Sequence, residues 1–121
     1  MLKYVIKQKK DNSKFISDSE YISPKQHRLS KCVWMLIMQP GNTKQIPKIK
    51  FWYPNNNIPS TPTNMFYVEI ESKNIYGDYT KFITDTDMDN IMRFISNNEN
   101  LLLKFWKDKK MALDFENDFL L

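Results

Sequence analysis

The chain is poor in the residues on which most catalytic sites are built. Its 121 residues include two glycines, Gly41 and Gly77, one cysteine, Cys32, and one histidine, His27. Two glycines cannot form a glycine-rich phosphate loop, which argues against nucleotide-hydrolysing and dinucleotide-binding enzymes. A single cysteine and a single histidine exclude an internal disulfide and a zinc cluster. The sequence therefore predicts no cofactor, no metal site and no catalytic residues.

Long hydrophobic runs are also absent. The longest one, residues 32–38, is far shorter than the roughly 20 residues that a membrane-spanning helix needs. Residues 1–7 carry Lys3 and Lys7, which interrupt the chain too early for a signal peptide. The abundance of Lys, Asn and Ile is typical of AT-rich coding DNA. We therefore expect a protein of the cytoplasm of a bacterial host cell, with no membrane partner.

Negative charge is scarce in the first half of the chain. Residues 1–50 hold ten lysines and Arg28 against three acidic residues, a net charge of +8. Residues 83–121 hold five basic and eight acidic residues, a net charge of −3, and the whole chain carries +4. This gradient favours a polyanionic partner for the first half.

The remaining composition, 41% hydrophobic and 26% charged, suits one folded domain over residues 1–121. Alternation of apolar and polar residues predicts four strands, at residues 2–7, 48–53, 65–71 and 75–83. Two stretches predict loops: the polar residues 11–21, and residues 54–62 with three Asn and three Pro.

Helical signals lie between and after these strands. Ser23 and Pro24 are typical of a helix start. The apolar residues that follow have helical spacing: Leu29, Cys32, Val33, Leu36 and Ile37. Cys32 therefore lies on the apolar stripe of the predicted helix. The continuous apolar run in this stretch leaves a buried strand over residues 29–38 as the alternative.

Two further helices are predicted in the last third, one capped by Thr86 and one covering residues 101–106 after a start at Asn97 or Asn98. Residues 111–121 predict a short strand or a docked tail. The resulting fold class is α+β: a small antiparallel sheet with two to three helices packed on one face.

Two acidic motifs have a spacing found in metal sites. Asp85, Asp87 and Asp89 resemble the start of a calcium loop, but the required Gly and Glu are Asn90 and Ser96, so helix capping explains the aspartates better.

The second motif has the carboxylate and lysine spacing of magnesium-dependent nucleases, and it comprises Glu69, Glu71 and Lys73 with Asp78 on the neighbouring strand. An exposed sheet surface is the simpler interpretation, which leaves a nuclease as a remote alternative.

The candidate binding surface combines lysines with a ring. Lys48, Lys50 and Trp52 share one face of a predicted strand, and N-terminal lysines extend the patch, namely Lys7, Lys9 and Lys10. Lysines contact phosphates and an exposed ring stacks on bases, so this pattern suits single-stranded nucleic acid. The alternative is a sheet edge protected by lysines, with a tryptophan in the core.

Residues 49–106 resemble a family of small uncharacterised bacterial domains of toxin–antitoxin type. The resemblance lies in Pro62 before Phe66-Tyr67-Val68, and in a helix of the form Asn-x-x-Leu-Leu-x-x-Trp that residues 98–106 approximate. The two histidines of the family's strand motif are absent here. The resemblance implies an α+β order of strands followed by two helices.

In overall character the chain is similar to the small inhibitors that phages make against bacterial defence systems, anti-CRISPR proteins among them. That similarity implies a non-enzymatic protein that docks on a nucleic-acid-processing effector or its guide RNA channel. Its partner would be a larger protein or ribonucleoprotein complex, with RNA contacted directly or not. A free-standing RNA- or DNA-binding protein, or an antitoxin, is the alternative.

Overall fold

The computed structural model describes residues 3–7, 19–41, 43–53 and 65–120. Six strands lie in these residues: β1 (Ile6–Lys7), β2 (Ser19–Ile22), β3 (Trp34–Met38), β4 (Lys48–Trp52), β5 (Met65–Glu69) and β6 (Ile75–Tyr76). Four α-helices accompany them: α1 (Pro24–His27), α2 (Asp85–Asn97), α3 (Glu99–Lys107) and α4 (Phe115–Asp118). The predicted loop of residues 54–62 lies outside the described residues.

The strands form one sheet in the order β1-β6-β5-β4-β3-β2. All neighbouring pairs are antiparallel except β1 and β6, which run parallel. The predicted α+β class and the mainly antiparallel sheet are confirmed, although the sheet has more strands than the sequence indicated. Part of the predicted loop of residues 11–21 is wrong, because Ser19–Ile22 pairs with β3 as an edge strand.

One face of the sheet, here called the helix-covered face, carries the main core. The rings of Phe51 and Phe66 stack on neighbouring strands with centroids 5.0 Å apart. Helix α2 lays a fully or nearly fully buried stripe on this face, formed by Met88, Ile91, Phe94 and Ile95. This spacing is the amphipathic pattern expected of a helix on a sheet.

Helix α2 begins two residues earlier than predicted. Its N-cap is Thr84, whose Oγ1 accepts the N–H of Asp87 at 3.1 Å, while the Asp87 carboxylate accepts the N–H of Thr84 at 3.4 Å. This reciprocal arrangement is a capping box, worth about 1 kcal/mol. Thr86 is therefore not the cap. The third predicted helix is confirmed as α3, with Asn98 as its N-cap.

The chain between Ser23 and Met38 differs from the predicted long helix. Helix α1 starts as expected, but it ends at His27, because Arg28 takes a left-handed conformation with φ of 58°. Residues 34–38 then form strand β3, the alternative that the sequence left open. Both faces of β3 contact apolar groups, so its continuous hydrophobic run reflects a strand buried on two sides.

The opposite side of the sheet is here called the second face. Its side chains come from alternate positions of the strands: Trp34, Leu36 and Met38 of β3, Lys48, Lys50 and Trp52 of β4, Met65, Tyr67 and Glu69 of β5, Tyr76 of β6 and Lys7 of β1. Trp106 of α3 joins Leu36, Met38, Trp52 and Met65 in a second apolar cluster.

The start of the described chain attaches to helix α2. Tyr4 and Ile6 pack against the core, whereas Val5 between them is 75% exposed, as the predicted alternation requires. The Tyr4 hydroxyl donates to Asp89, and Lys3 Nζ donates to the same carboxylate at 2.8 Å. Burial, aided by the Asp89 carboxylate, raises the pKa of Tyr4 to about 12. Leu2 lies outside the described residues.

The end of the chain docks on the helices. Phe115 and Phe119 pack against Phe94, with ring centroids 5.7 and 5.3 Å from it. Buried Asn98 fixes the tail, because its Nδ2 donates to the Leu120 carbonyl and its Oδ1 accepts the Leu120 N–H, both at 2.7 Å. The predicted docked tail is confirmed, but it contains helix α4 instead of a strand.

The other corrections are smaller. Of the predicted strand over residues 75–83, only Ile75–Tyr76 is a strand, and a 3-10 turn follows at Tyr79–Lys81.

Among the described residues, the helices are too short or too polar to cross a membrane.

Candidate functional site

The structure brings the predicted lysine–aromatic residues together on the second face. Lys48, Lys50 and Trp52 point to this side of β4, as the alternation predicted. Lys7 lies opposite Tyr76 in the parallel ladder and therefore belongs to the same face. Lys9 and Lys10 lie outside the described residues.

The expectation that β4 presents an exposed surface is wrong. Lys48 is 6% exposed, Lys50 0% and Trp52 3%. Lys50 sits between Leu36 and Tyr67 of the flanking strands, and Lys48 lies opposite Glu69 with its Nζ 5.3 Å from the Tyr67 ring. The polar alternation of β4 indicated a solvated face, whereas an apolar cluster with Trp52 and Trp106 occupies part of it. Lys7 is exposed.

The carboxylates of the nuclease alternative have separate partners. Glu69 accepts from Ser72 Oγ at 2.8 Å and Asn74 Nδ2 at 3.3 Å, and Asp78 caps the 3-10 turn through the Thr80 N–H. Lys73 Nζ pairs with the Glu99 carboxylate and reaches Glu71 at its backbone carbonyl, 3.4 Å away. In the part of the chain that the structure describes, no group of three His, Cys, Asp or Glu side chains is arranged to hold a metal ion.

The three aspartates of the supposed calcium loop also have separate roles. Asp85 accepts from the Tyr79 hydroxyl, Asp87 completes the capping box, and Asp89 binds Lys3 and Tyr4. The contact of Asp87 agrees with the helix-capping interpretation of the motif, whereas Asp85 and Asp89 bind side chains outside helix α2.

A different site is a groove between the α1–β3 connection and helix α2. One cavity of about 640 Å³ and an adjoining cavity of about 220 Å³ share Arg28, Leu29 and Asn90 in their walls. Four basic side chains line the two cavities: Lys25, Arg28, Lys31 and Arg93. We call this feature the arginine groove.

Local hydrogen bonds shape the α1–β3 connection. Buried His27 accepts the Leu29 N–H on Nδ1 at 3.0 Å, and its Nε2 lies 2.7 Å from the Val33 carbonyl oxygen. One nitrogen accepts and the other donates, which is the pattern of a neutral imidazole. Burial lowers the pKa of His27 below its ordinary value, and the bond to Val33 opposes this only in part. His27 therefore fixes the loop that carries Arg28 and Lys31.

Helix α2 supplies the other wall. Asn90 reaches across the groove, since its Nδ2 lies 3.4 Å from the Leu29 carbonyl oxygen. Its Oδ1 accepts from Arg93 Nη1, also at 3.4 Å, so the same amide connects the loop to the Arg93 guanidinium. Both distances are longer than the usual N–H···O range of about 2.7–3.2 Å, so these are weak contacts.

The charge of the groove is strongly positive. Its four basic residues are exposed, and the acidic residue in its walls, Asp87, is half-buried and engaged with Thr84. Guanidinium groups present several N–H donors in a planar fork that matches phosphate and carboxylate oxygens. The arrangement is chemically suited to bind an anion with several oxygen atoms.

Sequence reasoning missed this site. Cys32 was predicted to be a buried apolar residue, but it is exposed in the groove wall next to Lys31. Arg28 belongs to the basic first half of the chain and Arg93 to the acidic last third, so the charge gradient separated residues that the fold brings together. The sequence offered one signal for this site: Arg28 and Arg93 are the two arginines of the chain.

No protein-family model, curated protein or solved structure matches the chain.

Proposed function

We propose that the protein is a non-enzymatic binding protein that docks on a nucleic-acid-processing complex and contacts its nucleic acid through the arginine groove. In this proposal it acts as an inhibitor or accessory factor of the kind that mobile elements encode against bacterial defence systems. The observation that carries the proposal is the convergence of Lys25, Arg28, Lys31 and Arg93 on one groove.

The charges favour a phosphate backbone as the ligand. Four exposed cations along one groove can contact successive phosphates, and each contact releases condensed counterions. A small metabolite would need few such contacts, with more apolar walls around it. The polar lining of the groove, including Ser30, Thr84 and Asn90, can donate further hydrogen bonds to phosphate and sugar oxygens.

Titration of the full chain with labelled single-stranded RNA at several salt concentrations tests this contact. The wild type should lose affinity steeply with salt. The double variant Arg28→Ala/Arg93→Ala should bind at least about 10-fold more weakly, and its slope of log K against log salt should fall by about 1.4, since each single-strand phosphate contact contributes about 0.7.

The matched control is Lys104→Ala/Lys107→Ala, which removes the same charge from exposed positions of helix α3 outside the groove. It should keep a steeper slope than the arginine variant. Equal losses of RNA affinity in the two variants would mean that net charge alone explains the binding, and the groove would not be the binding site.

Affinity purification from the host separates this proposal from its alternative, a free-standing RNA- or DNA-binding protein or antitoxin. The proposal expects a ribonucleoprotein or nucleic-acid enzyme to co-purify with the wild type and to be lost with Arg28→Ala/Arg93→Ala. Tight binding of RNA alone, with no such complex recovered, would favour the alternative.

A further inference from the structure

The second face has an accessible pocket at its β6 end. A cavity of about 280 Å³ lies between residues 44–46 and strands β4 to β6. Its walls are formed by Lys44, Gln45, Ile46, Lys48, Tyr67, Glu69 and Tyr76. The volume is just below the range of about 300–1,000 Å³ typical of pockets for drug-sized ligands, so a ligand about the size of one ring system would fit.

A stack of aromatic rings forms one wall of this pocket. Tyr67 and Tyr76 lie opposite each other on β5 and β6, with ring centroids 4.8 Å apart and planes inclined by 12°. Lys48 Nζ contacts the Tyr67 ring at 5.3 Å from its centroid. Tyr67 is 4% exposed, whereas Tyr76 is half-buried, so Tyr76 is the ring of the pair that a ligand can reach.

The polar groups of the pocket have a distinct layout. Glu69 is 6% exposed, and its Oε1 already accepts hydrogen bonds from Ser72 Oγ and Asn74 Nδ2, so this residue belongs to the inner wall of the pocket. Lys44 is exposed at the rim, and Lys7 is exposed beside Tyr76 in the β1–β6 ladder. Ile46, which is 58% exposed, adds an apolar surface near the rings.

We propose that this pocket binds a nucleotide, with the base stacked on Tyr76 and the phosphate bound by Lys44 and Lys7. A planar ring suits the accessible ring of Tyr76, and an anionic group suits the exposed lysines beside it. A nucleotide is chosen among planar anions because of the proposed function. The pocket shares no residue with the arginine groove, so the two sites can be tested separately. The nucleotide is either free or part of a single strand.

The test uses the full chain and two kinds of ligand. Nucleoside monophosphates, titrated by NMR, report on a free nucleotide through the ring signals of Tyr67 and Tyr76. A short single-stranded RNA and an abasic strand of equal length report on a base within a chain. Tyr76→Ala should weaken binding of the RNA by roughly 10- to 100-fold and leave binding of the abasic strand unchanged.

Two variants control for folding and for general loss of aromatic surface. Tyr76→Phe keeps the ring and should bind like the wild type. Tyr53→Ala removes a ring that is 43% exposed but lies outside the pocket, packed on Phe82, and it should not affect base-dependent binding. Thermal unfolding of each variant identifies any loss of the fold. If Tyr76→Ala does not fold, the monophosphate titration of the wild type decides: shifts of the Tyr76 ring signals support the pocket, and their absence overturns it.

The outcomes separate the pocket from the groove. If Tyr76→Ala binds RNA as the wild type does, or weakens RNA and abasic strand equally, the nucleotide pocket is wrong while the groove stands. If RNA does not bind the wild type, the proposed function fails, and the monophosphate titration still decides the pocket. Tyr76-dependent shifts on adding monophosphate support it, and their absence overturns it.

Discussion

The arginine groove and the second face of the sheet place basic side chains in opposite environments. In the groove, Lys25, Arg28, Lys31 and Arg93 are exposed on a loop and on the surface of a helix. On β4, Lys48 and Lys50 are almost fully buried between neighbouring strands. A lysine–aromatic pattern in a strand therefore does not by itself identify a binding surface, since the same residues can belong to the interior.

The two environments imply different roles for charge. Burying an ammonium group costs free energy unless neighbouring groups offset it, so substitutions of Lys50 should act on the stability of the fold. An exposed guanidinium group keeps its hydration until a ligand replaces it, so Arg28 and Arg93 are available for binding. The comparison predicts that stability and binding respond to different residues.

The largest expected effect is that of reversing the charge of a buried lysine. Lys50→Glu would place a carboxylate between Leu36 and Tyr67, and we expect it to lower the free energy of unfolding by about 3 kcal/mol or more. Urea unfolding, followed by tryptophan fluorescence, measures the change. Lys25→Glu, the same substitution at an exposed position, should change stability by no more than about 0.5 kcal/mol. Equal effects would refute the contrast between the two regions.

A smaller effect is expected from His27, which belongs to the groove but is buried like Lys50. His27→Ala removes the partners of the Leu29 N–H and the Val33 carbonyl, and it should cost about 2 kcal/mol. Urea unfolding gives the loss, and the salt-dependent RNA titration should show weaker binding as the loop with Arg28 loses its support. A variant with unchanged stability would mean that these two bonds do not hold the loop.

The smallest expected effect is on the pH dependence of stability. Burial lowers the pKa of His27 in the folded state below its ordinary 6.5, so the unfolded chain binds a proton first as the pH falls. The contribution of His27 to stability is complete above 6.5 and is lost as the pH decreases from there to the folded-state pKa.

Unfolding midpoints between about pH 7.5 and about pH 5 should show this loss in the wild type. His27→Gln carries no titrating ring, so its midpoint should decrease less over the same interval. Parallel curves for the two proteins would contradict the neutral, buried state of His27.

The fold was predictable where one face of a strand or helix is apolar. Strands β4 and β5 were found from their alternation, although residues on both of their faces are buried, and helix α2 was found with its start displaced by two residues. The region after Ser23 was misassigned because Leu29, Val33, Leu36 and Ile37 satisfy helical spacing by coincidence. Their neighbours Met35 and Met38 are also buried, which is the mark of a strand with two covered faces.

The candidate sites were less predictable than the fold. Burial of Lys48 and Lys50 depends on what packs over the second face, including Trp106 from a helix late in the chain. Arg28 and Arg93 line the same cavity because α2 packs beside the α1–β3 connection. Neither property is encoded in local periodicity, because both arise from contacts between distant parts of the chain.

The parallel pairing of β1 with β6 has a consequence for the order of folding. Ile6 pairs with Ile75, so this contact closes the longest loop in the sheet, while the antiparallel strands join nearer neighbours. Two ladder positions and the Tyr4–Asp89 contact hold the strand at the sheet's edge. The amide protons of β1 should therefore exchange with solvent before those of β4, and this strand should be the last to join during refolding.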